Sequence, residues 1–221
     1  FYIFFFHIFR CNLFTIIFIQ LSFPIAYDLE IKGLCTWLIR NRKRGYSGAC
    51  WGFNFPWQSA HSFKPLNHPT IVTSSFVADS LLDAYDLTGN DLFLEVAKST
   101  CEFILEDVVQ TRSDEGLCFS YSVDSRDIVH NANALGGALL ARVSRYTNNS
   151  NYKAKSKLVF DYLVSHQKED GSWNYNKDLI TGIGKKQIDW HQGFIIDSLI
   201  NFVENNKNID ILIKKIKEKL N

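Results

Sequence analysis

Hydrophobic positions in this chain recur at the spacing of helix faces. "NDLFLEVAKSTCEFILEDV" carries apolar or small residues at 92, 93, 96, 97, 100, 101, 104 and 105, one side of a helix, with Asn90 or Asp91 as its cap. "IDILIKKIKEKL" sets 209, 212, 213, 216 and 220 on one stripe with lysines opposite, a second amphipathic helix. Three other stretches superpose on one another at offsets of 61 and 57: "FVADSLLDAY" (76–85), "GALLARVSRY" (137–146) and "FIIDSLINFV" (194–203). Each is followed by a short polar turn, "DLTGND", "TNNSN" or "ENNKN", and then by a second helix. The repeating unit is a helical hairpin. Three such hairpins and one extra helix (27–41) are expected.

A loop with glycine and ring side chains precedes each hairpin: "GACWGFNF" (48–55), "GLCFSYS" (116–122) and "GSWNYN" (171–176). Trp51, Phe119 and Trp173 are therefore equivalent, each with an aromatic two residues on, at Phe53, Tyr121 and Tyr175. No strand-rich region competes. The period is longer than a tetratricopeptide or ankyrin unit, and long aromatic loops do not belong to those solenoids. The pattern predicts an all-α ring of hairpins.

The stretch "YLVSHQKEDGSW" (162–173) resembles the QW motif of the squalene cyclase and protein prenyltransferase superfamily, through Tyr162, Leu163, Gln167, Gly171 and Trp173. The fold this resemblance implies is an α/α toroid, with inner helices lining a cavity and outer helices around them. Six-hairpin glycosidases, uronyl hydrolases, polysaccharide lyases and sugar epimerases share it, so the architecture does not choose a reaction. "GFNFPWQS", "VHNANALGGALLARV" and "IDWHQGFIIDSL" together make the chain similar to small toroid proteins of surface-polysaccharide biosynthesis. A full ring takes about six hairpins, on the order of 300 residues at this period. An incomplete α/α toroid over residues 27–221 is the expectation.

Residues 1–26 differ in composition, being aromatic and β-branched with only His7 and Arg10 ionisable. They read as a signal, a membrane anchor or sequence outside the domain. The chain opens on Phe and contains no Met, which reads as sequence missing upstream. Composition excludes other classes: 46% hydrophobic and 21% charged residues fit a globular protein, and a formal charge of +1 presents no field for nucleic acid. Five cysteines without CxxC spacing signal neither zinc nor a disulfide framework. The apolar N-terminus and the free thiols pull in opposite directions on compartment, and a cytoplasmic or membrane-associated location is favoured.

Candidate chemistry lies in the loops that enter the inner helices. His130, Asp189 and His191 are the candidate catalytic residues, with Asp189 orienting His191 as a general base. Trp51, Trp57, His61, Tyr121, Asn131, Asn133, Tyr175 and Trp190 are the candidate sugar contacts, rings for stacking on C–H faces and amides for hydroxyls. Packing is the preferred reading for Trp173, which with its equivalents wedges between repeats, and the competing reading of the polar residues makes Asp189 or Asn131 helix caps. No HxxxH or HxH pair signals a metal, and no cofactor is expected. A DxDD-like acid, an acidic diphosphate-binding cluster, an Asp-x-Cys zinc pair, a phosphate loop and a GxSxG elbow are all missing from the sequence, which sets terpene cyclisation and prenyl transfer third. The leading expectation is an enzyme acting on a polysaccharide or oligosaccharide, one with uronate among the candidates, by hydrolysis, elimination or epimerisation. The alternative is a toroid that binds glycan or a partner protein without turnover. Membrane association enters only through residues 1–26.

Overall fold

A computed structural model describes residues 26–58, 63–177, 181–187 and 189–206. The apolar segment before residue 26, His61 and the amphipathic stripe 209–220 lie outside the described residues. Six α-helices occur among those described: α1 (Ala26–Arg40), α2 (Ile71–Thr88), α3 (Asp91–Glu102), α4 (His130–Thr147), α5 (Ser150–Ser165) and α6 (His191–Asn205). Helix α4 packs between α2 and α6, while α3 backs α2 and α5 backs α4. Helices α2, α4 and α6 are the inner row, and α1, α3 and α5 are the outer row.

The hairpin turns are built alike. Gly89 and Asn148 each take the left-handed conformation, at φ 64° and 52°, and terminate α2 and α4. Asn90 and Asn149 follow at once and cap the next helix, accepting from the backbone N–H groups of Leu92 and of Asn151 and Tyr152. A left-handed C′ residue followed by an Asx N-cap reverses the chain in two residues. The α-helix expected to continue through Leu105 changes pitch instead: Phe103–Asp107 form a π turn. Phe103, Ile104 and Leu105 are all buried there, and three consecutive apolar residues do not share one α stripe.

In the second hairpin the inner and outer helices come especially close. Ser156 Oγ donates to the Gly137 carbonyl at 2.7 Å, and a Cβ on Gly137 would lie 2.9 Å from Val159. Gly116, at φ 141°, presses against the Leu158 carbonyl, a backbone conformation and a separation that only glycine allows. Between repeats, Arg142 of α4 reaches three carboxylates of α2: Asp79 at 2.7 Å, Asp83 at 2.7 Å and Asp86 at 3.0 Å.

Repeat equivalence breaks at α6. Ile196 and Ile200 are 50% and 51% exposed, whereas the matched Leu139 and Val143 of α4, and Ala78 and Leu82 of α2, are buried.

Short strands appear where the sequence predicts none. The pairs are β1 (Trp57–Gln58) with β2 (Phe63–Lys64), β3 (Gln110–Ser113) with β4 (Gly116–Phe119), and β5 (Ile128–Val129) with β6 (Asn176–Lys177). All are antiparallel, and β5–β6 joins the second loop to the third. Backbone groups of loops packed against helices need partners, and neighbouring loops supply them. No described helix is long and apolar enough to cross a membrane.

Candidate functional site

The three long loops meet at the N-terminal ends of the inner helices. Thr70 caps α2 by accepting from Thr73 N–H, and Ile71 N–H donates to the Tyr121 carbonyl, so the second loop rests on the start of α2. The His130 N–H donates to the Tyr175 carbonyl and ties the third loop to the start of α4. Tyr121 and Tyr175, repeat equivalents, are thereby held at one end of the inner row.

Beside them stands an oriented acid–base pair. His191 Nδ1 lies 2.6 Å from Asp189 Oδ1, which also accepts the His191 backbone N–H at 3.2 Å. Asp189, one residue before the Trp190 cap, thus takes the first N–H of α6 and holds the imidazole with one carboxylate. Tyr175 meets the His191 ring edge-on at 5.7 Å, Phe194 does so at 6.1 Å, and Trp190 lies parallel to it at 6.2 Å. Phe194 in turn packs edge-on against Phe76 of α2 at 5.4 Å. The imidazole is caged on three sides by rings, one of which, Trp190, is itself largely exposed.

Electrostatics assign protonation states. Some desolvation opposes the ionised Asp189, but hydrogen bonds from Gln187 and His191 outweigh it and hold its pKa below the usual carboxylate value. Burial raises the Tyr175 hydroxyl, and the carboxylates of Asp189 and Asp127 raise it further. Tyr121 is raised by burial and by Tyr175 beside it. At neutral pH the group holds one carboxylate and two phenols that keep their protons, and the carboxylate, an acceptor only, draws a proton onto the facing His191 Nδ1. The Nε2 lone pair of His191 is then the basic atom.

His130 does not join this group. Its Nδ1 donates to the Asn174 carbonyl at 2.7 Å, and its ring packs against Tyr162 and His166 of the outer row. Burial, only partly opposed by the Asn174 carbonyl, pushes its pKa down to about 4. It is a neutral core imidazole set among outer-row rings, and among the described residues its ring makes no hydrogen bond to Asp189 or His191.

The candidate sugar contacts divide in the same way. Trp51 is 5% exposed, its indole donating to the Leu38 carbonyl at 2.9 Å, so it is a core wedge with no face for a sugar. Trp173 does the same to Leu163. Asn133 is fully buried and acts as a strand mimic: its Oδ1 accepts Phe119 N–H at 2.6 Å and its Nδ2 donates back to the Phe119 carbonyl. Asn131 is buried in the first turn of α4, and its Oδ1 has no partner among the described residues. Trp57 belongs to a half-buried aromatic trio with Phe53 and Phe55 on the first loop. Asp124 of the second loop is a cross-loop lock, its Oδ1 taking Lys64 at 2.5 Å, Ser122 at 2.8 Å and His68 at 2.9 Å. Phe76, Phe194 and Gln187 complete the surroundings of His191 and are not legible in the sequence, because nothing in their spacing separates them from core residues. No group of three or more metal-ligating side chains occurs among the described residues.

The sequence matches no protein-family model and none of the curated proteins. Solved structures do match. A GH76 α-mannanase of Bacteroides thetaiotaomicron superposes with a TM-score of 0.53 at 17% identity, covering 75% of this chain and 50% of its own. A D-mannose isomerase gives 0.52 at 16% identity, over 69% of this chain and 43% of its own. A variant of UGL with dGlcA-Glc-Rha-Glc gives 0.58 at 16% identity, over 89% and 56%. The chain thus spans about half the length of these proteins. Taken with two rows of helices joined by asparagine turns, the similarities identify the fold: the described residues form an arc of an α/α toroid.

Proposed function

We propose that this is a carbohydrate-active toroid protein that takes an oligosaccharide or polysaccharide at the N-terminal ends of its inner helices, with His191 as the proton-transfer group. The observation that carries the reading is the 2.6 Å contact between His191 Nδ1 and Asp189 Oδ1 inside a cage of aromatic rings. A carboxylate that holds Nδ1–H leaves Nε2 as base, and the ring edges of Tyr175 and Trp190 provide apolar surface beside it. Tyr175 keeps its proton and can donate it to a sugar oxygen.

Among hydrolysis, elimination and epimerisation, the arrangement favours the last two. Glycoside hydrolysis ordinarily uses two carboxyl groups, one on each side of the scissile bond. Asp189 is committed to His191, whereas an imidazole base and a phenolic donor suit removal of a proton from a carbon next to a carbonyl. Solved neighbours named as an α-mannanase, a D-mannose isomerase and a UGL variant with a sugar support a saccharide ligand without choosing the reaction.

The test is mass spectrometry of products from a panel of neutral and uronate-containing oligosaccharides. Wild-type turnover, abolished in His191→Ala and Asp189→Ala with helical ellipticity unchanged, is the expected result. Turnover retained in both variants overturns the roles. Binding without turnover is the second reading, favoured by the exposed Trp190 ring beside His191, and predicts saturable binding with no product.

A further inference from the structure

A buried polar side chain stands behind the Asp189–His191 pair. Gln187 is 9% exposed, and its Nε2 donates at 2.8 Å to Asp189 Oδ1, the same oxygen that accepts both the backbone and the ring nitrogen of His191. Its other end, Oε1, is buried with no hydrogen-bond partner among the described residues. A buried acceptor left unpaired is a cost to the fold, and turning the amide over would set that oxygen against Asp189 Oδ1, acceptor against acceptor. The orientation is therefore fixed by what the donor end does. The loop tolerates an orphaned carbonyl in order to place an N–H on the carboxylate.

We infer that Gln187 is a positioning residue of this site, acting through Asp189: it pins Oδ1 where the His191 Nδ1–H meets it, and so fixes the imidazole with its proton on Nδ1 and its lone pair on Nε2. Without that restraint, an imidazole in water prefers the proton on Nε2, the tautomer that cannot serve as base there. Partners one step removed from the reacting group set ring orientation and basicity in metal and acid–base sites alike. The consequence for turnover rests on the proposed role of His191; the tautomer does not.

Gln187→Leu tests this, because it removes the donor and the orphaned acceptor together and keeps the volume. Full-length protein labelled with 15N in histidine is examined at pH 8.5 by two-bond 15N–1H correlation, the His191 signal being assigned by its loss in His191→Gln. Wild type is expected to show Nδ1–H, and Gln187→Leu a population shift of roughly tenfold towards Nε2–H. Gln187→Glu, which keeps the shape and replaces the donor by an acceptor, is expected to shift the same way. Where turnover is measurable, kcat falls roughly tenfold in both with KM unchanged. Nδ1–H retained in both variants overturns the inference. A tautomer shift in variants of a protein whose wild type turns over no saccharide upholds the role of Gln187 and overturns the proposed activity alone.

Discussion

The indole N–H of Trp173 donates to the carbonyl of Leu163 at 2.7 Å. Trp51 repeats the contact with Leu38 at 2.9 Å, one ring at the end of each outer helix α5 and α1. The last carbonyls of a helix lack intrahelical partners, and here a tryptophan from the following loop supplies one while filling the gap below it. Gln167 closes the same turn by donating to the Gly171 carbonyl at 3.0 Å, and Gln192 of α6 grips the Trp173 backbone at both its N–H and its carbonyl.

If these rings are wedges, Trp51→Phe and Trp173→Phe will each cost about 1–3 kcal/mol, because a buried carbonyl loses its donor while most apolar area is kept. Urea unfolding measures it. Equal losses, with saccharide binding unaltered in Trp51→Phe, are expected; lost binding at unchanged stability would return Trp51 to the sugar site.

Arg142 is the one described cation among Asp79, Asp83 and Asp86 on the inner row, and its own charge is held firmly by them against burial. Burial and the neighbouring Asp79 already raise Asp83 despite the guanidinium. Arg142→Met leaves three carboxylates facing one another and should cost about 2–4 kcal/mol, below the fully buried range because Asp79 and Asp86 are partly solvated. The loss should shrink at pH 4, as Asp83, already raised, takes up a proton. A pH-independent loss would mean that packing, not charge, was removed.

His130 gives a signed pH dependence. Its folded pKa, about 4, lies below the ordinary 6.5, so the unfolded chain binds the proton first and stability is lost as pH falls from 6.5 towards 4. Between pH 7 and pH 5 the loss amounts to about 2 kcal/mol from this one group. His130→Gln is expected to flatten that slope. Unfolding midpoints with the same pH dependence in both proteins would show that the imidazole is not kept neutral by the fold.

Asp124 acts at the opposite end of the scale. Some desolvation opposes its charge, but Lys64, Ser122 and His68 pull its pKa down to about 2, so its contribution is present above the ordinary 3.8 and lost as pH falls through 2. Half-exposed as it is, Asp124→Asn should cost only about 1 kcal/mol. Hydrogen exchange at the Ile71 and Tyr121 amides, both hydrogen-bonded across the loop, should be faster in the variant than in wild type. Unchanged protection at both would remove the lock from the account of the mouth.

Much of this fold is legible in the sequence. The matched stretches 76–85 and 137–146 are inner helices, and "DLTGND" and "TNNSN" are the turns between them and α3 and α5. They are legible because helix period and Gly or Asn punctuation are local signals. The strands are not, since Ile128–Val129 has no period to read and finds its partner only at Asn176–Lys177. For the site, the pairing of Asp189 with His191 follows from two residues of separation at a helix start. At His130 and Trp51 the sequence leaves two readings open for one reason: a ring in a loop looks the same whether it faces a cavity or a core, and only tertiary packing decides. Gln187 carries no sequence signal, because its importance lies in which oxygen it touches.

The pairing of β5 with β6 has a consequence for the order in which the molecule assembles. Each hairpin closes through contacts a few residues apart across a two-residue turn, which is fast and local. The β5–β6 pair, the Lys64–Asp124 lock and the Tyr175 contact with His130 all join segments some 45 to 60 residues apart, and closing such loops is entropically costly until both ends are already held. Hairpins therefore form first and the mouth last. The acid–base pair is local, but the cage that Tyr175 and the Phe194–Phe76 contact build around it comes into being only on a finished scaffold. Any substitution that slows the joining of loops will delay the appearance of the caged site more than the appearance of helix.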